Sequence, residues 1–289
     1  MGVSIPEDIR PSHMLIKRAA VIILLLPICL AGILLGGWAY NLGIALILAL
    51  AAWEYVRLMN TGGFRPALVL TVGGAALLAL GRGWNGFTSA PGLLSLLVLL
   101  SMVYHLVTYE RGRDQSGSDF GITLGGIVYL GWIGAYFISL RALPDGKWWV
   151  LFALPVIWIA DSWAYIIGVR FGRHKLSPRL SPKKSWEGYL AGVVAGTLAG
   201  ALLAWAWTAV PAAWGPPTSA AWPPLWKGAL FGFILAALTA LGDLGESMIK
   251  RQVGAKDSGK LLPGHGGVFD RIDSWLWGAV IGYYLAVWL

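Results

Sequence analysis

The chain has 289 residues, of which 57% are hydrophobic and only 12% charged, with 17 tryptophans and a mean hydropathy of +0.67. That composition excludes a soluble globular domain, which has no way to bury so much apolar surface. The net charge of +8 suits anionic lipid headgroups or nucleotides. Nucleic acid is excluded as a partner, because the cations fall in short loops between apolar runs rather than on a polar domain.

Nine apolar runs approach bilayer-spanning length, near residues 17–36, 38–58, 66–81, 91–109, 121–141, 148–168, 188–210, 225–244 and 273–289. The expected fold is therefore all-α: a polytopic integral membrane protein of about nine transmembrane helices. The first run has no small-residue cleavage site behind it, so it reads as a span rather than a signal peptide. It carries the lone cysteine, Cys29, which excludes an intrachain disulfide or a cysteine metal site. The third run is marginal, shorter than the roughly 20 residues of a straight crossing. The mixed-sign loop at 110–120 reads as a solvated connector.

Charge sets the orientation. With the N-terminus inside, 18 of the 22 Lys and Arg fall on the cytoplasmic side, leaving Arg82, Arg141, Lys147 and Lys227 outside. That bias follows the positive-inside rule and predicts an N-in, C-out topology. The chain divides into residues 1–120, about four generic spans, and 121–289, about five spans that carry the chemistry.

Three patches concentrate polar groups at cytoplasmic span ends. On the sixth span, Asp161 shares a face with Tyr165 and Gly168 and lies about 20 Å from the outer end, inside the ~30 Å hydrocarbon core. The loop that follows brings Lys183, Lys184 and Ser185 to the start of the seventh span, where Ser185 and Gly188 offer a cap and the lysines suit phosphates. At the end of the eighth span, Asp243, Glu246, Ser247 and Lys250 repeat at i, i+3, i+4 and i+7, one helical face. A carboxylate at that depth costs about 2.5–3.5 kcal/mol unless partnered. A structural ion pair of Asp243 with Lys250 or Arg251 is the plain alternative to a metal or substrate site.

The third patch is the stretch Ser247–Asp273, with five cations, three aspartates, one histidine and five glycines between two apolar runs. Asp270 and Asp273, at i and i+3, are read either as first-turn acids of the ninth span or as ligands. Gly264, Gly266 and Gly267 surround His265 and allow close backbone approach to a ligand or a sharp turn. Cations and glycine N–H groups suit phosphates and carboxylates suit a divalent ion, so one composite site at the ends of spans six to nine fits phosphoryl chemistry.

The residues Ser247-x-Ile249-Lys250-Arg251, Lys256-Asp257-x-Gly259 and Leu262-Pro263-x-His265-Gly266-Gly267-Val268-x-Asp270-Arg271-Ile272-Asp273 resemble the signature of the CDP-diacylglycerol synthases, or phosphatidate cytidylyltransferases. Asp161-x-x-Ala164-Tyr165-x-x-Gly168-x-x-Phe171-Gly172 and Ser181-Pro182-Lys183-Lys184-Ser185-x-Glu187-Gly188 resemble the family's other motifs. Ser162 and Ser185 stand where the family often has threonine. The likeness covers about residues 120–289, and the first hundred match only as generic spans.

The resemblance implies a Mg2+-dependent homodimeric enzyme of a bacterial-type inner membrane. It would join CTP to phosphatidic acid, releasing pyrophosphate, at a site facing the cytoplasm. Asp243 and Asp270 would hold one or two Mg2+ ions, with Asp161, Glu246 or Asp273 in support. Asp243, Asp270, Lys250 and Arg271 are the residues expected to act in catalysis. Substrate contacts are expected from Asp161, Tyr165, Lys183, Lys184, Ser185, Glu246, Ser247, Arg251, Lys256, Asp257, His265, Gly266, Gly267 and Asp273, with His265 in a supporting role. Asp270→Asn is expected to abolish turnover without disturbing the fold. The competing readings are a CTP-dependent polyprenol kinase and a secondary transporter.

Overall fold

The computed structural model describes residues 11–218, 222–262, 264 and 266–289, the side chains of 11–22 excepted. Among them, helix dominates: α1 (Pro11–Leu35), α2 (Gly37–Thr61), α3 (Leu68–Asn85), α4 (Ala90–Glu110), α5 (Ser116–Gly126), α6 (Tyr136–Ala142), α7 (Gly146–Phe171), α8 (Trp186–Thr208), α9 (Leu225–Gln252) and α10 (Phe269–Trp288). Among the described residues, seven segments are long and apolar enough to cross a membrane: α2, α3, α4, the run Ser116–Ala142, α7, α8 and α9. A short antiparallel pair, β1 (Lys175–Ser177) and β2 (Ser181–Ser185), joins α7 to α8.

The fifth run is not one regular helix. A π-helical turn at Ile127–Ile133 separates α5 from α6. There Gly131 lies so close to α3 that a Cβ would stand 2.9 Å from Ala75 Cα. The marginal third run also departs from its expected bounds, since α3 continues through Arg82 to Asn85. Arg82 is buried, its guanidinium 3.6 Å above the Phe87 ring and beside Trp132 and Tyr136, and its Nη1 donates to Ser139 Oγ. Aromatic faces and one hydroxyl replace the water that a cation needs there.

The loop before α5 is the solvated connector its polarity predicts, mostly exposed from Glu110 to Gln115. Asp119, in the first turn of α5, is buried, accepting from Arg113 Nε and from the Arg65 backbone N–H, both at 2.8 Å, and so ties the starts of α3 and α5 together.

Helices α7, α8 and α9 pack side by side through small residues. Gly188, Gly192, Gly196 and Gly200 recur every fourth position on the buried face of α8. Gly188 meets Gly168 of α7, and Gly200 meets Gly232 of α9, at distances that leave no room for a methyl. Without a hydrophobic drive between helices in lipid, such close backbone contact is what holds them together. Gly200→Ala would place its Cβ 2.8 Å from Gly232 Cα, backbone that cannot swing aside. It should destabilise by about 1–3 kcal/mol. Gly73→Ala, with nothing within 4 Å, should not. Thermal unfolding in detergent compares the two.

These contacts bring the C-terminal ends of α7 and α9 and the N-terminal ends of α8 and α10 to one end of the bundle. The C-terminal end of α2 joins them, with Gly62 directly against Val253.

Candidate functional site

Ser185 starts the site's first wall. In β-conformation at the N-cap of α8, it accepts from the Gly188 backbone N–H at 3.2 Å. It is buried, and its hydroxyl faces Gly168 and Gly172 at the end of α7. The hydroxyl closes the hairpin onto the helices, in the N-cap position that its spacing to Gly188 predicts. Glu187 completes the wall, accepting from the Arg173 and His174 backbone N–H groups and from His174 Nδ1 at 2.6 Å. So anchored, β2 carries Lys184 over the ends of α7 and α9.

Lys184 Nζ lies 2.7 Å from Asp243 Oδ2, and Ser247 Oγ donates to Asp243 Oδ1 at 3.3 Å. The plain alternative named for Asp243 is thus half right: it has an ion pair, but with the hairpin and not with Lys250 or Arg251. Asp161 of α7 and Asp273 of α10 face the same point, close enough to act electrostatically on Asp243 and on each other. Of the three carboxylates, Asp243 alone contacts Lys184; Asp161 feels the charge of that lysine, and Asp273 that of Lys250. Charge alone makes this lobe short of cations.

The second lobe is built around Lys250. Its ammonium lies 2.5 Å from Glu246 Oε2 and 2.7 Å from Asp270 Oδ1. The other oxygen of Asp270 accepts three hydrogen bonds, from the Ser258 N–H at 2.9 Å and from Ser258 Oγ and the Gly267 N–H at 2.8 Å. Glu246 is fully buried, with Oε1 unpartnered among the described residues. Lys250, expected on substrate phosphate, spends its charge on two protein carboxylates. Asp270, expected on metal, has both oxygens occupied by protein donors. One carboxylate facing a lysine and three donors is what first-turn position and glycine-rich backbone together produce: Gly266, at φ 84°, turns the chain so that Gly267 N–H points back at Asp270.

The two lobes adjoin, since Asp273 acts electrostatically on both Glu246 and Lys250. Around them Lys183, Arg251, Lys256, Asp257 and Arg271 are exposed, Arg251 donating to the Ala255 carbonyl at 2.8 Å. Tyr165, placed by spacing on the face of Asp161, is 72% exposed and looks out of the bundle. His265 lies outside the described residues.

Two residues of the second lobe escaped sequence reasoning. Ser258 is buried and gives Asp270 two of its donors. Glu54 of α2 is 1% exposed and accepts from the Phe269 backbone N–H at 2.9 Å, across 215 residues of sequence. Nothing in the sequence marks this role, because Arg57 at i+3 of the same helix offers Glu54 an ordinary partner.

A divalent ion can be tested against this donor set. Among the described residues no three carboxylates or histidines form a ready coordination shell. Mg2+ does not require one, because it is ordinarily held by one or two carboxylates together with substrate phosphates and water. The Asp161, Asp243 and Asp273 lobe fits that pattern, and the saturated Asp270 fits it less well.

Comparison with known proteins adds the last observation. A model of the cytidylyltransferase family matches residues 16–289. The chain is 33% identical over 288 residues to the phosphatidate cytidylyltransferase of Synechocystis sp., covering 89% of this chain and 91% of that one. It is 31% identical over 264 residues to the phosphatidate cytidylyltransferase of Staphylococcus haemolyticus, covering 90% and 94%. With the Brucella abortus protein of that name it shares 40% identity over 170 residues, 58% of each chain.

Proposed function

The chain belongs to the cytidylyltransferase family, and from that premise we propose that it is a phosphatidate cytidylyltransferase of phospholipid synthesis. It transfers CMP from CTP to phosphatidic acid, giving CDP-diacylglycerol and pyrophosphate. The observation that carries the reading is the Lys184–Asp243 pair, with Asp161 and Asp273 near enough to act on Asp243, at one polar end of an apolar helical bundle. Such an arrangement suits a triphosphate–metal complex presented to a lipid that stays in the bilayer.

In the reaction, a phosphate oxygen of phosphatidate attacks the α-phosphorus of CTP. A new P–O bond forms, the bond to the bridging oxygen of the β-phosphate breaks, and pyrophosphate leaves with that electron pair. The nucleophile is already anionic, so no side chain has to remove a proton. The protein's task is positioning and charge compensation.

The two lysines divide that task. The Lys184–Asp243 pair is about a third exposed on each side, and such pairs are worth only about 0–1 kcal/mol. Lys184 can therefore exchange its carboxylate for the triphosphate at little cost, with Lys183 beside it. Lys250 is enclosed and keeps its partners. Mg2+, held by Asp243 with Asp161 and Asp273, would neutralise charge on the phosphoryl oxygens. Asp270 orients Lys250 and the Ser258–Gly267 backbone rather than giving up its donors. Lys256, Arg251 and Arg271 line the approach of the phosphates, and the acyl chains remain in lipid.

The rest of the proposal is topological. Nine crossings with the N-terminus inside put this polar end in the cytoplasm, where CTP is, and the charge bias supports that. Helix α10 falls outside the seven clear spans because it opens on Asp270, Arg271 and Asp273, yet its remainder is apolar. The protein acts as a homodimer in a bacterial-type inner membrane.

Purified protein given labelled CTP, phosphatidate and Mg2+ should yield CDP-lipid and pyrophosphate in equal amounts. A phosphorylated lipid with release of CDP would instead identify a kinase. Uptake into vesicles without any lipid product would point to transport.

A further inference from the structure

Glu54 comes from α2, within the part of the chain whose sequence carries no functional motif. Its carboxylate is 1% exposed, buried at the junction of α2, the Ser258–Gly267 loop and α10. Oε2 accepts from the Phe269 N–H at 2.9 Å and faces Ser258 Oγ at 3.5 Å. Oε1 has no partner among the described residues.

Three features mark this as a built arrangement. First, α10 has no capping side chain of its own: its N-cap residue is Val268, so an orphan N–H of the first turn is satisfied from another helix. Second, Ser258 Oγ lies between two carboxylates, 2.8 Å from Asp270 Oδ2 and 3.5 Å from Glu54 Oε2. Third, two glycines of the loop, Gly259 and Gly267, lie directly against Glu54. A Cβ on Gly259 would stand 2.7 Å from the Glu54 carboxyl carbon, and one on Gly267 would meet Glu54 and Ser258 at once.

We propose that Glu54 is a positioning residue of the active site, holding Ser258 and the first turn of α10 so that Asp270 keeps Oδ1 on Lys250. The second helix thereby belongs to the reaction machinery. This rests on the cytidylyltransferase reading for its kinetic test, but not for its structural one.

The physical route is short. Without the Glu54 carboxylate, the buried Phe269 N–H loses its acceptor, and Ser258 Oγ is held by Asp270 alone. The loop is then free to shift, and a shift of about 1 Å in a catalytic group costs on the order of 10²-fold in rate. Lys183 and Lys184 sit on the separate β-hairpin, outside that loop, so the larger part of the loss falls on kcat rather than KM.

Full-length Glu54→Ala and Glu54→Gln should be compared with Tyr40→Phe, a change in the same helix. Tyr40 donates to the Phe137 carbonyl at 3.2 Å, on the far side from the polar end. Glu54→Ala should lose about 30- to 100-fold in kcat, with KM for CTP changed less than about threefold. Glu54→Gln keeps one carbonyl acceptor and should recover part of that loss, while Tyr40→Phe should lower thermal stability and leave kcat unchanged. Backbone hydrogen exchange over residues 256–272 should rise in Glu54→Ala and not in Tyr40→Phe.

Unchanged exchange in that segment would overturn the proposal, as would a kcat within twofold of wild type. So would a Gln variant no better than Ala. Should the wild-type protein make no CDP-lipid, the cytidylyltransferase reading fails, and the exchange comparison alone still decides the role of Glu54.

Discussion

Asp243→Asn should lower kcat by about 10²- to 10³-fold, the usual cost of removing one electrostatic contact to a developing charge, while the protein folds normally. The residue suits the test because its surroundings tolerate the change. Its side chain is 38% exposed, and its partners are one hydroxyl and one equally accessible lysine. An asparagine carbonyl still accepts from Ser247, and loss of the Lys184 pair costs at most about 1 kcal/mol. The Mg2+ concentration for half-maximal rate should rise in the same variant. Activity within tenfold of wild type at saturating Mg2+ would remove Asp243 from the metal site. Asp270→Asn is a poorer test than the sequence suggested. An amide there must turn an N–H toward either Lys250 or the three donors from Ser258 and Gly267. Each buried group left unsatisfied costs about 1–3 kcal/mol, so loss of activity would be mixed with loss of loop structure.

Asp243 and Asp270 looked equivalent in the sequence, as two acids near helix ends, one just upstream of the Ser247–Asp273 motif and one within it. The sequence showed which residues gather, because helical spacing places Asp243, Glu246, Ser247 and Lys250 on one face and apolar runs fix the helix ends to within a turn or so. It did not show which partner each charge takes. Lys250 can reach Asp243 or Glu246 by the same i−7 or i−4 periodicity, and only burial decides: Glu246 is enclosed and Asp243 is not. Lys184 was legible as a cation and not as the partner of Asp243, since nothing local records how a β-hairpin folds over a neighbouring helix. Glu54 was hidden for a related reason. Contacts across more than 200 residues leave no periodic trace, and a single glutamate scarcely alters the hydropathy of a 25-residue helix. Small residues at every fourth position of α8 were visible, but the specific Gly200–Gly232 approach required the packed bundle.

Lys250→Met should be the most destabilising single change at this end of the molecule. It leaves Glu246 and Asp270 buried without their shared cation, and breaking such a pair costs about 3–5 kcal/mol. The adjoining lobe makes this worse, because Asp273 adds its own negative field. Removing one of the stranded charges should relieve the strain, so Lys250→Met combined with Glu246→Gln should unfold at a higher temperature than Lys250→Met alone. The coupling between the two sites is the quantity to measure, by thermal unfolding across the full double-mutant cycle. Activity should not return with stability, because Asp270 has still lost the cation that fixes its Oδ1. Lys184→Met sets the opposite case: its pair is exposed, so stability should move by less than about 1 kcal/mol while KM for CTP rises. If instead Lys250→Met were as stable as wild type, Lys250 would not be the buried counter-ion, and its charge would be available to the phosphates after all.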